Sequence, residues 1–435
     1  MKRSLLILAA VALGARWSVA LLTERHPIFP DYYFADARLY DAEADLYATA
    51  IVSGTPIPYR LTPGRELYTW WVTLFYVHLG RRPLTLKLIN GMLAAASVCL
   101  WFLLVQRLRP EAGSRPSRAA WAAGLMLALW PTHVFYTSQN TKEAMMLLAL
   151  AAVFWLFLGR NAVEGGARAT RVALDDARPV PGAAALVLVG LLRSHLLPMA
   201  AVALAVGAAW RLMASRRRPW ALGRAAWDAV WVVAALALLR PVSSWTFERW
   251  TYEERHNQPI PFVKGLIDTR KPAEDPKMPV SWTPAWIMDL RLTRQRSDRQ
   301  YARQTFGRQV QSQIFQDVEF RTWGDVLAFL PRGAFTVLLM PLPGFYPIRG
   351  NLGRLLASLE NLGLLGLCLL AVVGLWRHGG RAERAPLAVF FLIAWMASAL
   401  TEVDLGSATR HRLLYLPFLL PFAAWTASGR PRLGP

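Results

Sequence analysis

The sequence predicts an all-α polytopic membrane protein with about 10–11 transmembrane helices and with interfacial helices in its first outer loop. Three observations lead to this fold class. Of the 435 residues, 54% are hydrophobic and only 18% are charged. The apolar residues come in blocks of about 18–20, the length of helix that crosses a ~30 Å hydrocarbon core. Arginine clusters occupy the short loops between these blocks, as the positive-inside rule describes.

The first apolar block, residues 4–22, follows a basic start that resembles a signal peptide. Because no small-x-small cleavage site precedes the acidic stretch that follows, we expect an uncleaved first span with its N-terminus inside. Further blocks predict spans at 84–105, 119–137, 143–159, 225–239, 355–376, 386–400 and 413–427.

Two other apolar stretches do not have the pattern of a single ordinary span. Residues 180–212 are too long for one helix and are interrupted by Arg193, Ser194 and His195, so we expect two short helices that meet at a turn. Charge inside such a block is costly and usually functional. Residues 326–341 predict either a span or a re-entrant helix.

The densest group of acids in this basic chain follows the first span. The chain carries a net charge of +21, yet residues 23–59 contain six acids and two bases. The six acids are Glu24, Asp31, Asp36, Asp41, Glu43 and Asp45. Such a local reversal of charge indicates a function for the first outer loop.

Two helices are expected inside that loop. Asp36, Tyr40, Glu43 and Tyr47 have the spacing of one helical face. The segment 39–52 therefore predicts an amphipathic helix at the membrane surface. The short aromatic stretch that follows, 62–83, predicts a second interfacial or partly inserted helix.

The chain divides into three parts. Residues 1–242 form an N-terminal transmembrane catalytic module that includes the first outer loop, 23–83. Residues 243–324 form a large polar extracytoplasmic loop, and residues 325–435 return to the membrane. No known binding module is evident in this loop.

Positive-inside counting orients these parts. It places four basic loops in the cytoplasm: 106–118, 160–178, 215–224 and 377–384. The acidic loop, the turns at 138–142 and 193–195 and the large polar loop then share the outer side. Residues 401–412 join them if the segment 326–341 does not cross the membrane.

Several function classes are disfavoured by the composition. The basic residues lie in short loops without interleaved aromatic residues, so no nucleic-acid partner is expected. Cys99 and Cys368 both fall in apolar spans, which implies neither a disulfide framework nor a metal site. The histidines show no HxxH or HExxH spacing, so no residue is assigned to a metal.

With this topology the outer face collects both acids and cations. The acids are Asp36, Asp41, Glu143 and either Glu402 or Asp404, and the cations are Arg65, Lys142, Arg193, His195, Arg410 and Arg412. A carboxylate can remove a proton from a hydroxyl or amine while a phosphate leaves. Arg and Lys neutralise the charge of the departing phosphate. The expected substrate is an amphiphile with a phosphate at the membrane surface.

Five segments resemble the GT-C superfamily of polytopic glycosyltransferases, in particular the bacterial relatives of protein O-mannosyltransferases and of the lipid A aminoarabinose transferase. In chain order they are ADARLYDAEADLYATAIVSG, LTPGRELYTWWVTLFYVHLGRRPLTLKLIN, LWPTHVFYTSQNTKEAMMLLALAAVFWLF, LAFLPRGAFTVLLMPLPG and DLGSATRHRLLYLPFLLP. No single motif is highly specific, but all five occur in the family's order.

The resemblance implies a GT-C-like helical bundle and inverting transfer of a sugar from a polyprenyl-phosphate-sugar donor. The acceptor is a lipid, a glycan or a protein, and the site faces the extracytoplasmic side of a bacterial inner membrane. Asp36 matches the family's first-loop acid, Glu143 its second-loop acid, and Arg193 a cation near the donor phosphate. Many relatives have two adjacent acids in the first loop, whereas Ala37 follows Asp36 here, so Asp31 and Asp41 are rivals. The resemblance leaves open whether the activity requires a divalent cation.

Each assignment has a structural alternative. Asp36 suits the N-terminus of a helix, where an acid is stabilised by the helix dipole. The alternative role of Glu143 is to cap the start of a span. For Arg410 and Arg412 the alternative is to anchor the helix at the membrane interface. Two other functions also compete: an O-antigen-type polysaccharide polymerase or ligase, which relies on Arg and His in late outer loops, and a transporter or flippase for lipid-linked glycans. A transporter predicts inverted repeats and ionisable groups near mid-membrane.

Overall fold

The computed structural model describes most of the chain. The described residues are 1–26, 34–55, 66–108, 116–158, 178–214, 219–243, 283–307, 310, 312–345, 352–378 and 384–428. Within these ranges the chain is helical apart from its turns and one isolated bridge between Gln313 and Asp404. The prediction of an all-α protein is confirmed for this part of the chain.

The helices follow the apolar blocks of the sequence. They are α1 (Lys2–Arg25), α2 (Ala35–Ser53), α3 (Glu66–Leu79), α4 (Pro83–Arg107), α5 (Arg118–Leu129), α6 (Pro131–Thr137), α7 (Glu143–Leu158), α8 (Pro179–Leu192), α9 (Leu196–Ala214), α10 (Pro219–Ser243), α11 (Pro284–Phe306), α12 (Trp323–Leu339), α13 (Leu352–His378), α14 (Ala385–Thr401) and α15 (Leu405–Ala427).

In the described residues, five helices are long and apolar enough to cross a membrane. These are α1, α4 and α13, most of α9 and the central part of α10. Four shorter apolar helices accompany them, namely α5, α7, α8 and α14. The protein is an integral membrane protein.

An aromatic cluster fills the centre of the bundle. The ring of Phe418 lies 4.8 Å from Trp101, 4.6 Å from Phe154 and 4.3 Å from Phe390, measured between ring centroids. These residues belong to α15, α4, α7 and α14, so one contact set joins helices from both ends of the chain. Within a membrane such packing supplies much of the association between helices, because lipid tails are as apolar as the side chains.

The predicted span 119–137 is not one helix. It breaks at Trp130, which is extended, and α6 starts at Pro131. Proline has no backbone N–H to continue the helix and disfavours the helical conformation of the residue before it. The prediction of a continuous span was therefore wrong at this position, and the break turns α6 towards the 138–142 turn.

Arg16 compensates for the break from inside α1. Its buried guanidinium donates to Leu127 O at 3.2 Å and to Ala128 O at 3.0 Å, two carbonyls of the last turn of α5. It also donates to Thr137 Oγ1 at 2.9 Å and lies 2.9 Å from Nδ1 of His133. This charge in an apolar helix is structural, because its hydrogen bonds satisfy groups that the break exposes.

We expect Arg16→Leu to lower the free energy of unfolding in detergent by about 3 kcal/mol or more, since each buried carbonyl left without a donor costs about 1–3 kcal/mol. Thermal unfolding of the purified protein measures this loss. Arg3→Gln, at an exposed position in the same helix, is the matched control. Equal unfolding temperatures for the two variants would contradict the structural role.

The interruption at residues 193–195 is confirmed. Helix α8 ends at Leu192, Arg193 is extended, and α9 begins at Leu196. The turn therefore places Arg193 at the end of the bundle where α7 begins, beside Glu143.

Residues 326–341 contact α14 and α15. Helix α12 covers most of them, and its Ala334 O accepts from the indole of Trp395 near the end of α14, at 2.9 Å. Leu338 O accepts from Arg412 near the start of α15. These contacts join α12 to α14 and α15. Whether residues 326–341 span the membrane or re-enter stays a prediction with two alternatives.

Helix α11 arises from the large polar loop. The side chain of Thr283 accepts from Trp286 N, Pro284 occupies the first turn, and Gly307 ends the helix with φ of 59°. A Ser or Thr N-cap followed by proline and a C-terminal glycine is the usual pattern of helix ends. The predicted loop thus contains an ordered helix that approaches the membrane part of the protein.

Candidate functional site

Asp36 lies in the first turn of α2, the helix of the acidic loop. Its side chain is 36% exposed, whereas Tyr40, Glu43 and Tyr47 on the same helical face are buried. Aromatic contacts fix that face against α3, with 4.9 Å between the rings of Tyr40 and Tyr68. The face predicted from the sequence is therefore the packed face, and Asp36 is its accessible end.

Three charged residues meet beside Asp36, and we call the four residues together the charged cluster: Asp36, Glu143, Arg193 and Arg410. Arg410 forms an ion pair with Asp36, and its Nε lies 3.4 Å from Oε1 of Glu143. The same carboxylate oxygen lies 3.4 Å from Nη2 of Arg193. Four distant segments thus meet at one point: the first loop, the start of α7, the turn after α8 and the start of α15.

The charged cluster combines burial with unsatisfied donors. Glu143 is 2% exposed and Arg193 is 7% exposed. Nε of Arg193 and Nε of Arg410 are buried and have no hydrogen-bond partner in the described part of the structure. Buried donors of this kind are rare in folded proteins and need an explanation. An anion bound at the cluster would supply their acceptors.

A neutral network holds the start of α7 in place. Asn90 donates to Tyr68 Oη at 2.7 Å, to Gln139 O at 2.7 Å and to Thr141 O at 3.2 Å. Tyr68 in turn donates to Asn140 Oδ1 at 2.9 Å. Burial raises the pKa of Tyr68 far above its usual range, so its hydroxyl stays a donor. The network fixes the turn that carries Lys142 and Glu143.

Lys142 lies beside the charged cluster but points to α8. Its Nζ donates to Leu192 O at 3.0 Å, at the last turn of that helix. The contact joins the 138–142 turn to the 193–195 turn, which is the geometry that brings Arg193 to Glu143. A cation at a helix C-terminus is also favoured by the helix dipole.

Asp41, a rival of Asp36, lies on another face of α2. It accepts from Tyr76 and, at 2.5 Å, from Arg81, which also pairs with Asp45 at 3.1 Å. Burial and the contact with Asp41 raise the pKa of Tyr76, so that phenol stays protonated. Asp41 also lines a cavity of about 180 Å³ with residues of α1 and α4. Its contacts connect α2 to α3.

The other predicted cations take separate positions. Arg412 of α15 is 1% exposed and donates to Leu338 O, so it joins α15 to α12. His195 is exposed in the turn after α8. Arg65 and the alternative acid Asp31 lie outside the described residues.

The sequence left Glu402 and Asp404 as equivalent choices, and the structure separates them. Asp404 is the N-cap of α15, where it accepts from Ser407 N at 2.8 Å and from the hydroxyl of Ser312. Glu402 is buried, with Oε2 3.2 Å from Arg294 and Oε1 2.5 Å from Nδ1 of His411. Asp404 therefore caps α15, and Glu402 contacts Arg294 and His411.

Sequence reasoning missed the contribution of α11. Arg291 is fully buried and donates to Leu400 O at 2.9 Å and to Glu402 O at 3.2 Å, while Arg294 donates to Thr401 O at 3.1 Å. These carbonyls belong to the end of α14 and the residues just after it. The spacing of Arg291, Arg294 and Asp298 along one helical face was a usable signal. The arginines of this face bind backbone carbonyls of residues 400–402, about a hundred residues further along the chain, and no local sequence pattern marks those carbonyls.

Asp298 extends that face of α11 towards the site. Burial raises its pKa to about 6, and the nearby charge of Asp404 adds to the shift. Because the folded-state pKa lies above the usual value of 3.8, the contribution of Asp298 to stability is present at low pH and is lost as pH rises through about 6.

We therefore expect Asp298→Asn to reduce the loss of thermal stability that the wild type shows between pH 5 and pH 7.5. Unfolding temperatures at the two pH values measure the effect. Asp289→Asn, at an exposed position of the same helix, should keep the wild-type pH dependence. A variant at position 298 that behaves like this control would show that Asp298 is not held close to Asp404.

Metal ligands were left open by the sequence. In the ranges that the structure describes, no group of three or more His, Cys, Asp or Glu side chains has an arrangement that could hold a metal ion.

Two crystal structures are similar to this chain. ArnT from Cupriavidus metallidurans in the apo state shares 14% identity, with 98% of this chain and 78% of that chain covered and a TM-score of 0.41. The same protein bound to undecaprenyl phosphate shares 15% identity, with 97% and 77% covered and a TM-score of 0.39. No protein-family model matches the sequence, and no curated protein matches it. At these TM-scores the likeness assigns neither function nor substrate.

Proposed function

We propose that this protein is a membrane glycosyltransferase of the GT-C type that moves a sugar from a polyprenyl-phosphate-sugar donor to a lipid, glycan or protein acceptor. The observation that carries the proposal is the charged cluster, in which the partly exposed Asp36 pairs with Arg410 and the buried Glu143 contacts both Arg410 and Arg193. In the described residues, both arginines have a buried Nε without a hydrogen-bond partner. We place the reaction on the extracytoplasmic face of a bacterial inner membrane, the side that positive-inside counting gives to these turns.

The donor phosphate would bind Arg193 and Arg410, with Lys142 beside them. Guanidinium groups suit this task because they give directional, charge-assisted hydrogen bonds to phosphate oxygens. Among the described residues, the Nε atoms of both arginines have no hydrogen-bond partner, and Nε of Arg410 has only the ion-pair contact with Glu143 at 3.4 Å. The apolar helices around the cluster supply a surface for the polyprenyl chain.

Asp36 would act as the general base. The hydroxyl or amine of the acceptor loses its proton to this carboxylate while its oxygen or nitrogen bonds to the anomeric carbon. The bond from that carbon to the phosphate oxygen breaks, and its electron pair leaves with polyprenyl phosphate. Attack opposite the leaving group inverts the anomeric configuration. The added negative charge on the phosphate falls beside Arg193 and Arg410, which stabilise the transition state.

The ion pair between Arg410 and Asp36 gives these steps an order. Arg410 pairs with Asp36 in the absence of donor. A bound phosphate would compete for the same guanidinium and so free the carboxylate of Asp36 to contact the acceptor. Proton removal is thereby coupled to donor binding.

Glu143 has a different role in this proposal. It is buried, and one of its oxygens lies 3.4 Å from both Arg193 and Arg410. A buried carboxylate between two guanidinium groups fixes their spacing and reduces their mutual repulsion. Glu143 would therefore set the geometry of the phosphate site while Asp36 contacts the acceptor.

The second candidate is a polymerase or ligase of the O-antigen type. It is favoured by the docking of α11, an Arg-rich helix of the late polar loop, against Glu402 through Arg294. Such enzymes act on diphosphate-linked oligosaccharides, so the donor distinguishes the two functions. A transporter is less favoured. It would need ionisable groups near mid-membrane for transport, but the guanidinium of Arg16 in α1 hydrogen-bonds to α5 and α6 and has a structural role.

Lipid binding tests the phosphate site. We expect protein in nanodiscs to bind polyprenyl phosphate, with Arg193→Gln weakening binding by about tenfold or more because a charge-assisted contact is lost. Arg321→Gln is the control, since this side chain is 81% exposed and pairs with Glu319. Thermal stabilisation by added lipid gives the affinity for folded protein. Preference for a diphosphate-linked oligosaccharide would support the polymerase or ligase instead.

A further inference from the structure

His411 lies beside the charged cluster and has no role in the reaction described so far. It follows Arg410 in α15, and its Nδ1 lies 2.5 Å from Oε1 of Glu402. The side chain is 15% exposed, and the described residues provide no hydrogen-bond partner for its Nε2. Nδ1 of the imidazole is therefore engaged by Glu402, whereas Nε2 has no partner in the described residues.

Glu402 determines which nitrogen carries the proton. Burial opposes ionisation of this carboxyl, but its contact with His411 and the charge of Arg294 together hold its pKa below the usual range. An ionised carboxylate only accepts hydrogen bonds, so Nδ1 must be the N–H. Burial lowers the pKa of His411 to about 3, and the charges of Arg193 and Arg410 also disfavour a second proton on the ring. Nε2 then carries a lone pair.

We propose that His411 binds a hydroxyl group of a sugar substrate through Nε2, which acts as a hydrogen-bond acceptor. This inference rests on the proposed function. A phosphate oxygen cannot be the partner, because neither it nor the neutral Nε2 has a hydrogen to share. The cations of the charged cluster thus select the phosphate, and His411 selects a group with a proton, on the donor sugar or on a glycan acceptor.

The polar loop would position this contact. Arg294 holds Oε2 of Glu402 at 3.2 Å, and Arg291 holds the backbone of the same residue. Carboxylates that orient a histidine in this way fix its tautomer and its ring. Helix α11 therefore acts on the substrate through Glu402 and His411, and Arg294 is a positioning residue.

Steady-state kinetics of transfer test the inference, with donor and acceptor varied separately. We expect His411→Ala to raise the KM for one of them roughly tenfold, the effect of losing one hydrogen bond, with a smaller change in kcat. His411→Gln keeps an acceptor oxygen and should recover part of the loss. A raised KM for the donor places the hydroxyl on the donor sugar, and a raised KM for the acceptor places it on the acceptor.

The pH profile supplies an independent readout. Protonation of Nε2 removes its lone pair, so the wild-type KM that changes in His411→Ala should rise at low pH, and this rise should be absent in His411→Gln. Protonation of the base Asp36 lowers the rate at low pH in both proteins, so KM and not the rate is the readout. Glu402→Gln and Arg294→Gln should change the same KM as His411→Ala. Binding of polyprenyl phosphate by His411→Ala, measured as above, confirms that the variant is folded.

Three results would overturn the inference. The first is an unchanged KM for both substrates in His411→Ala, and the second is a low-pH rise of that KM that persists in His411→Gln. The third is a collapse of kcat with unchanged KM values, which would make His411 the base. Each of them requires wild-type turnover. Absence of wild-type turnover with any polyprenyl-phosphate sugar would instead count against the proposed function itself.

Discussion

Asp36→Asn is expected to reduce sugar transfer by about 10²–10⁴-fold, the usual contribution of a general base. Asparagine has the same shape as aspartate but cannot take a proton. The partial exposure of Asp36, at one end of an otherwise buried helical face, makes this carboxylate accessible to an acceptor. Transfer of a labelled sugar in vesicles measures the rate, normalised to folded protein.

Asp41→Asn is the matched control for this prediction. Asp41 belongs to the same helix but is engaged by Tyr76 and Arg81 of the following segment. We expect near wild-type transfer with a somewhat lower unfolding temperature. The opposite pattern, with transfer lost in Asp41→Asn and kept in Asp36→Asn, would move the base to Asp41 and contradict the role given to the charged cluster.

Arg410→Met is expected to have the second large effect, because it removes the cation between Asp36 and Glu143. Loss of one stabilising group at a developing charge typically costs about 10²–10³-fold in kcat. Breaking a buried ion pair by removing one partner costs about 3–5 kcal/mol of stability. Both effects should appear together, in transfer assays and in thermal unfolding.

The double variant Arg410→Met with Glu143→Gln separates the two effects. Removing the charge of Glu143 relieves the repulsion with Asp36, so stability should partly recover relative to Arg410→Met alone, while transfer stays low. Contacting residues are expected to show such coupling in a double-mutant cycle. Additive losses of stability would show that Arg410 and Glu143 do not interact as the 3.4 Å separation indicates.

Much of the architecture was predictable from apolar periodicity. Helices α1, α4, α7, α13 and α14 begin and end within a few residues of the predicted blocks. The turn at residues 193–195 was also predictable, because charge interrupts an apolar block there. The break at Pro131 was missed, since hydropathy continues across it and only the backbone chemistry of proline marks it.

The site was predictable in part. Asp36, Glu143, Arg193 and Arg410 were candidates from the sequence, and the structure places them in contact; their roles stay predictions. Two physical reasons limit such reasoning. Hydropathy predicts on which side of the membrane a residue lies but not which side chains contact each other. It therefore did not separate Asp41 and Arg412 from the residues of the charged cluster. The docking of α11 depends on backbone carbonyls, which every residue has.

Turnover with defined donors tests the central claim most directly. Purified protein in vesicles is given a panel of labelled polyprenyl-phosphate sugars and, separately, diphosphate-linked oligosaccharides, with Asp36→Asn run beside the wild type. The account predicts release or transfer from one monophosphate donor that the variant abolishes while it still binds polyprenyl phosphate. Activity on the diphosphate-linked oligosaccharides alone would contradict it.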